Sequence, residues 1–269
     1  MGNALFIVWR ETVEAMLVVG ILHSWLKQHG HRTGMRYLWG GVAAGVGLAI
    51  LLAFAIVGVA DVLSDTGLEY FQLGMVSVAA ALIVQMVFWM RAHGRKLKRE
   101  LESSLADAQQ NANWWGMLIV VALAVSRESS EAVVFLYGLG SGEGGNPLFW
   151  LMLPLGVLLA WGTFWLLQQS SRFLTWQRFF RISEVLLLLL AASLLVNASE
   201  RAINLNLLPT LLDPVWDSSR LLSDSGSLGG FIANFTGYRA QPSLSLVLVY
   251  ALFWLAVVVG LRHQARKAA

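Results

Sequence analysis

The sequence predicts an all-α, polytopic membrane protein of seven transmembrane helices: an inverted three-helix repeat plus a seventh helix, N-terminus outside and C-terminus inside. Three observations predict it. Hydrophobic residues fill 57% of the 269 positions and charged residues only 13%, against roughly 45–50% and about 25% in soluble domains. Apolar runs close to the ~20 residues that cross a ~30 Å hydrocarbon layer recur along the chain. A charged motif in the first run returns in the fourth.

The runs lie near residues 4–26, 37–60, 69–90, 114–138, 148–169, 182–202 and 242–261. The first carries Arg10, Glu11 and Glu14 at its middle, where a cleavable signal peptide has an uninterrupted apolar stretch, so it is expected to be retained. The second contains Gly40, Gly41, Gly45 and Gly47, small residues that let helices approach closely. Before the third, Asp61, Asp65 and Glu69 recur every fourth residue; if that stretch is helical, they form an acidic stripe at the outer mouth, a secondary path for a metal. The sixth opens on Glu184, where the helix dipole favours an acid. Residues 203–241 form the largest outer segment, with a turn signal and an interfacial tryptophan in Asp213-Pro214-Val215-Trp216-Asp217.

Charge sets the orientation. Lys27, Arg32, Arg36, Arg91, Arg95, Lys96, Lys98, Arg99, Arg172, Arg178, Arg181, Arg262, Arg266 and Lys267, 14 of the 19 basic residues, fall at one set of loops, which the positive-inside rule puts in the cytoplasm. Asp61, Asp65, Glu69, Glu143, Asp213, Asp217 and Asp224 fall on the other side, where they concentrate cations. The net charge of +3 therefore reflects membrane orientation and implies no nucleic-acid partner. Cysteine is absent, which excludes disulfides, thiolate metal sites and iron–sulfur clusters on this chain. No Walker-type loop is present, so ATP is not used directly.

The strongest signal is Arg10-Glu11-Thr12-Val13-Glu14 in the first run and Arg127-Glu128-Ser129-Ser130-Glu131 in the fourth. Each ionisable group near a bilayer centre costs at least ~2.5–3.5 kcal/mol on insertion scales. Residues three apart share a helix face, so Glu11 with Glu14, and Glu128 with Glu131, form two carboxylate combs. Glu14 lies about ten residues into its span, ~15 Å deep, and Glu131 is at a similar depth in its own. Arg10 and Arg127 stand one turn before the second glutamate and can neutralise the empty site. Buried ion pairs that only hold helices together are the plainer reading. Four carboxylates against two guanidiniums, however, leave a formal charge of −2, which packing does not require and a multivalent cation neutralises.

The motifs are 117 residues apart, and Val8, Thr12 and Ala15 match Val125, Ser129 and Ala132 at the same interval. With a two-residue shift, Gly41-Val42 and Gly47 match Gly156-Val157 and Gly162. Three spans per unit turn the second unit over, the arrangement of transporters with a midplane site. A single domain over 1–269 is expected, with units at about 4–91 and 114–202. A carboxylate site suits hard cations, leaving Fe³⁺, Ca²⁺, Mg²⁺ and Mn²⁺ open. The histidines, His23, His29, His31, His93 and His263, all sit at or beyond inner helix ends.

These residues resemble the high-affinity, oxidase-dependent ferric iron permeases of fungi and bacteria, within the iron/lead transporter family. The resemblance rests on the doubled R-E-x-x-E, on Glu69, Phe71, Gly74 and the Met86-Val87-Phe88-Trp89-Met90 ending of the third helix, and on Gly237-Tyr238 followed by Pro242-Ser243. It implies Fe³⁺ as transported substrate, no bound organic cofactor, and Glu11, Glu14, Glu128 and Glu131 as metal residues. It also implies a bacterial inner-membrane location in contact with membrane lipid, and two kinds of periplasmic helper: an iron-binding protein and a cupredoxin-like or peroxidase-like oxidase. The chain departs from the family in having Thr12-Val13 and Ser129-Ser130 where members often have Gly-Leu. It also has Ser199-Glu200 where some bacterial relatives have a histidine–glutamate pair, which keeps Glu200 as a secondary metal candidate. Three rival readings are a permease for manganese, lead or another cation, a membrane-embedded hydrolase, and a non-transporting scaffold subunit. The hydrolase lacks a Ser/His or His-Glu-x-x-His arrangement.

Overall fold

The computed structural model describes residues 2–28, 32–93, 114–140, 147–169, 176–224 and 226–268. These form eight α-helices and no strand: α1 (Gly2–Gln28), α2 (Arg32–Val62), α3 (Asp65–His93), α4 (Trp114–Gly140), α5 (Pro147–Gln169), α6 (Trp176–Asn204), the short α7 (Ser227–Thr236) and α8 (Leu244–Ala268). Arg95, Lys96, Lys98, Arg99, Arg172, Glu143, His29 and His31 lie outside the described residues, as do the side chains of Arg32, His93, Arg178 and Lys267.

Five helices contain stretches long and apolar enough to cross a membrane: Thr33–Val62, Asp65–Arg91, Phe149–Leu166, Arg181–Asn204 and Leu244–Gln264. In such a segment the helix is favoured because it satisfies every backbone polar group internally. The remaining two long helices, α1 and α4, are the ones that carry the charged motifs. Every 18-residue stretch of either contains at least three charged residues, so composition alone does not mark them as spans.

Burial separates an inner from an outer set. Of the crossing stretch in α6, 61% is buried, against 17% in α2, α5 and α8. Large apolar side chains such as Phe54, Trp150, Trp161 and Leu252 stand exposed around the outer helices. A water-soluble surface does not tolerate so continuous an apolar band, whereas lipid covers it. The core is shared by α1, α3, α4 and α6, through Ile7, Val76, Ala79, Ile83, Phe135, Leu187, Ala191 and Leu194. A smaller cluster of Leu22, Leu26, Leu38, Met117 and Val121 joins α1, α2 and α4 toward one end.

The four most extensive helix pairings are reciprocal. α2 lies along α4 and α5 along α1, while α1 touches α4 and α3 lies along α6. Exchanging the first three helices for the next three leaves this set of pairs unchanged. Glycines make the close approaches, Gly41 and Gly45 on α2 and Gly156 on α5. A Cβ on Gly45 would lie 2.8 Å from Ala122 O and 2.8 Å from Val125 Cβ; one on Gly156 would lie 2.9 Å from Val8 Cβ and 3.2 Å from Leu5 O. Backbone therefore rests almost directly on backbone at both crossings.

One end of the bundle gathers the start of α1, the α2–α3 joint and the segment after α6. There the Asn3 amide donates to Asn234 O at 2.7 Å. The segment folds on itself: Val215 N–H donates to Pro242 O at 2.9 Å, Ser218 N–H to Ala240 O at 2.9 Å and Leu244 N–H to Leu212 O at 2.8 Å. Gly237 closes α7 at φ 76°, a left-handed conformation that favours glycine, and its N–H donates to Ala233 O. The hydroxyls of Tyr238 and Ser218 are 2.6 Å apart, and Tyr238 also donates to Leu222 O at 3.0 Å. The Gly237-Tyr238 and Pro242-Ser243 block is thus the tie that folds this segment over the bundle. At the opposite end Arg91 of α3 pairs with Glu184 of α6, and Gln264 of α8 donates to Phe88 O at 3.1 Å.

Candidate metal centre

The motif helices α1 and α4 are each 27 residues long, and each carries its charged run near its middle. Because side chains three and four apart share a face, each run presents one charged edge, and the α1–α4 contact brings those edges together. One oxygen from each of Glu11, Glu128 and Glu131 lies within 4.8 Å of the other two. Carboxylate oxygens bind a metal such as zinc at about 2.0–2.2 Å, so three spaced evenly around one ion are about 3.8 Å apart at most, and the trio draws inward to share an ion.

Glu14, the fourth carboxylate of the motifs, sits beside this trio and is joined to it through Arg10. Arg10 is fully buried. Its Nη1 lies 2.7 Å from Glu11 Oε1, and its Nη2 pairs with Glu14. The same guanidinium faces two sulfurs of α3, with Nη1 2.7 Å from Met86 Sδ and Nη2 3.2 Å from Met90 Sδ. Arg127 is placed differently. Its Nε donates to Glu131 Oε1 at 3.0 Å, and its guanidinium carbon lies 4.5 Å from the centre of the Trp89 ring. Its side chain is 38% exposed.

Glu11 Oε2, Glu128 Oε2 and Glu131 Oε2 are buried without a hydrogen-bond partner. Buried acceptors with no donor carry the full desolvation cost of the group. Three of them, converging from two helices, form an arrangement a cation stabilises and a purely structural salt bridge does not need. The donor set is oxygen alone, and among the described residues no histidine joins it. Such a set suits hard cations.

The secondary candidates lie elsewhere. Asp61 belongs to the end of α2 and Asp65 to the start of α3, with the helix interrupted at residues 63–64. Ser64 turns the chain there, its carbonyl accepting from Leu68 N–H at 2.8 Å and its hydroxyl from Gly67 N–H at 3.4 Å. The three acids therefore do not form the continuous stripe that one helix would give; only Asp65 and Glu69 share a helix, and all three are exposed. Glu200 is held by Arg239, whose Nη2 donates to its Oε2 at 2.7 Å while Nε meets Oε1. That bond to Glu200 raises the Arg239 guanidinium's affinity for its proton. The pair bolts α6 to the segment after α7 and stands apart from the carboxylate trio. Glu184, read from sequence as a dipole-favoured acid, is the partner of Arg91.

Four residues around these groups escaped sequence reasoning as participants: Met86, Trp89, Met90 and Arg239. The i, i+3, i+4 spacing of the first three was the available signal, but on an apolar helix that spacing reads as core.

The chain is 29% identical over 270 residues to the protein named ferrous iron permease EfeU of Shigella sonnei (strain Ss046), covering 98% of this chain and 96% of the relative. The same figures hold for the protein of that name in Escherichia coli O157:H7. The one in Yersinia pestis is 27% identical over 262 residues, covering 94% of this chain and 90% of the relative. No solved structure matches the chain. The model of the iron permease FTR1 family matches residues 1–264. With a nearly full-length match, an all-helical fold and several membrane-crossing helices, this multi-pass membrane protein belongs to the iron permease FTR1 family, whose members are transporters rather than enzymes.

Proposed function

We propose that this protein is a bacterial inner-membrane permease that imports ferric iron through the site between α1 and α4. The carrying observation is the approach of Glu11, Glu128 and Glu131 to within 4.8 Å, with one unpartnered oxygen on each. These three supply the first ligands, and Glu14 becomes the fourth once Arg10 releases it. Arg10 and Arg127 neutralise the empty site. An all-oxygen donor set with a formal charge of −2 favours the hardest and most highly charged form of iron. A ferrous substrate is the second reading, favoured by the name that the relatives carry.

Counting α1 and α4 as spans gives seven crossings, and the basic residues at the inner loops put the N-terminus outside. The reciprocal pairing of α2 with α4 and α5 with α1 supports an inverted repeat, and such a repeat opens a midplane site to each side in turn. The carboxylates Asp61, Asp65 and Glu69 then face the periplasm, where a soluble iron-binding protein and a cupredoxin-like or peroxidase-like oxidase deliver the metal.

The test is radiolabelled iron uptake in cells lacking their own iron transporters, supplied either as ferric citrate or as ferrous iron held reduced by ascorbate, with manganese and lead as competitors. Wild type is expected to take up ferric iron. Full activity in Glu14→Ala or Glu128→Ala, at normal abundance in the membrane, refutes the ligand assignment.

A further inference from the structure

Three side chains on one face of α3 reach both motif arginines. Met86 and Met90 meet Arg10, and Trp89, between them in the chain, lies under Arg127. We propose that this turn of α3 is a rest for the two arginines, taking up the guanidiniums as iron takes the carboxylates from them. The inference deepens the functional reading above and rests on its metal site. It adds Met86, Trp89 and Met90 as positioning residues that set how readily iron loads.

Moving a buried arginine is costly. Arg10 has no exposed surface, so any donor it withdraws from Glu11 or Glu14 meets protein and not water. Were the carboxylates its only acceptors, iron would have to leave a buried cation with bare N–H groups, and loading would be opposed by that full cost. Acceptors on a third helix lower it. A thioether accepts weakly, and an aromatic face attracts a cation through its quadrupole. Neither carries a negative charge. An aspartate or glutamate in the same place would hold Arg10 more tightly, but would itself bind the metal and trap it. Weak, uncharged acceptors leave the carboxylates as the best partner for iron and give the arginines somewhere to go.

The two halves use this rest unequally. Arg10, sealed in protein, has two sulfurs; Arg127, at 38% side-chain exposure, has a ring face and is only partly enclosed by protein. Loss of the sulfurs therefore acts more strongly than loss of the ring.

The experiment measures the concentration dependence of iron uptake, with iron in whichever oxidation state wild type accepts. Leucine keeps the volume of methionine and removes its acceptor. Met86→Leu combined with Met90→Leu is expected to raise KM about tenfold, with the maximal rate changed less than about twofold, because the lost acceptor opposes loading and not translocation. Met86→Gln on the Met90→Leu background returns an acceptor of similar length and is expected to restore KM to within about threefold of wild type. Trp89→Leu is expected to raise KM about threefold, and Trp89→Phe, which keeps a ring face, to restore it. The tryptophan pair carries the test if the double leucine variant does not accumulate. An unchanged KM in the leucine variants, or equal impairment by leucine and by its polar or aromatic counterpart, overturns the proposal. Glu128→Ala is run in parallel. If it retains uptake, the metal site itself is wrong. If it loses uptake while the Met86 and Met90 variants keep the wild-type KM, the rest alone is refuted.

Discussion

Gly45 and Gly156 are structural counterparts. Each seats an outer helix on a motif helix, Gly45 against Ala122 O and Val125 Cβ and Gly156 against Leu5 O and Val8 Cβ. Leu5 and Val8 precede Ala122 and Val125 by the same 117 residues that separate the two charged motifs. The interval that separates the motifs therefore also relates the positions at which each motif helix is gripped by a glycine of an outer helix.

These contacts predict opposite outcomes for the same substitution at neighbouring glycines. An added methyl at Gly45 or Gly156 forces two backbones apart, and such overpacking costs about 1–3 kcal/mol. At Gly47 and Gly58 a Cβ meets nothing within 4 Å, and alanine there gains helix propensity. Thermal unfolding in detergent should rank Gly45→Ala and Gly156→Ala below wild type, and Gly47→Ala and Gly58→Ala at or above it.

The two motif arginines differ in surroundings, and so should their substitutions. Removing Arg10 leaves Glu11 and Glu14 facing each other inside protein, and breaking a buried ion pair from one side costs about 3–5 kcal/mol. Arg127 pairs with Glu131 at a position that protein encloses only in part, its side chain being 38% exposed. Arg10→Ala is expected to lower the amount of folded protein in membranes severely, and Arg127→Ala mildly. Size-exclusion profiles of the solubilised variants make the comparison. Equal loss in both would mean that burial is not what distinguishes them.

Protons compete with metal for the same oxygens, which fixes the sign of the pH dependence. A carboxylate holds a cation only when ionised, so iron uptake should fall as the outer pH is lowered. Uptake is measured at constant free iron, with the membrane potential clamped by potassium and valinomycin, so that acidification changes only protonation. A rate that rises on acidification would instead indicate proton-coupled import.

Much of this arrangement was legible in the sequence because membrane burial leaves few explanations for a charge. Glu11, Glu128 and Glu131 were found from spacing and depth alone, and the structure brings their oxygens together. The register of the second repeat was harder. The best match in the sequence aligned Gly41 with Gly156, whereas contacts align Gly45 with Gly156, one helical turn away; glycines four apart on one face are interchangeable to an alignment but not to a crossing. The stripe of Asp61, Asp65 and Glu69 failed for a local reason, since Ser64 can cap a helix as readily as continue one. The Arg10 contacts to Met86 and Met90 were invisible, because a methionine on an apolar helix shows nothing in sequence of what its sulfur faces.

Glu200 gives the last comparison, between an acid that binds metal and one that binds the chain. Its carboxylate is held by two nitrogens of Arg239, which also donates to Tyr238 O at 3.2 Å. With side chains 32% and 18% exposed, the pair is worth about 1 kcal/mol after solvent screening. Its main consequence is geometric, since it fixes the segment after α7 against the end of α6. Glu200→Arg or Arg239→Glu alone places like charges in contact and should expose that segment to limited proteolysis. The double variant restores opposite charges and should regain protection together with most of the iron uptake. A metal-binding carboxylate cannot be rescued this way, because an arginine at its position offers iron no oxygen. Recovery of uptake in the double variant therefore assigns Glu200 to the architecture, and failure to recover, with protease protection regained, would move it into the metal path.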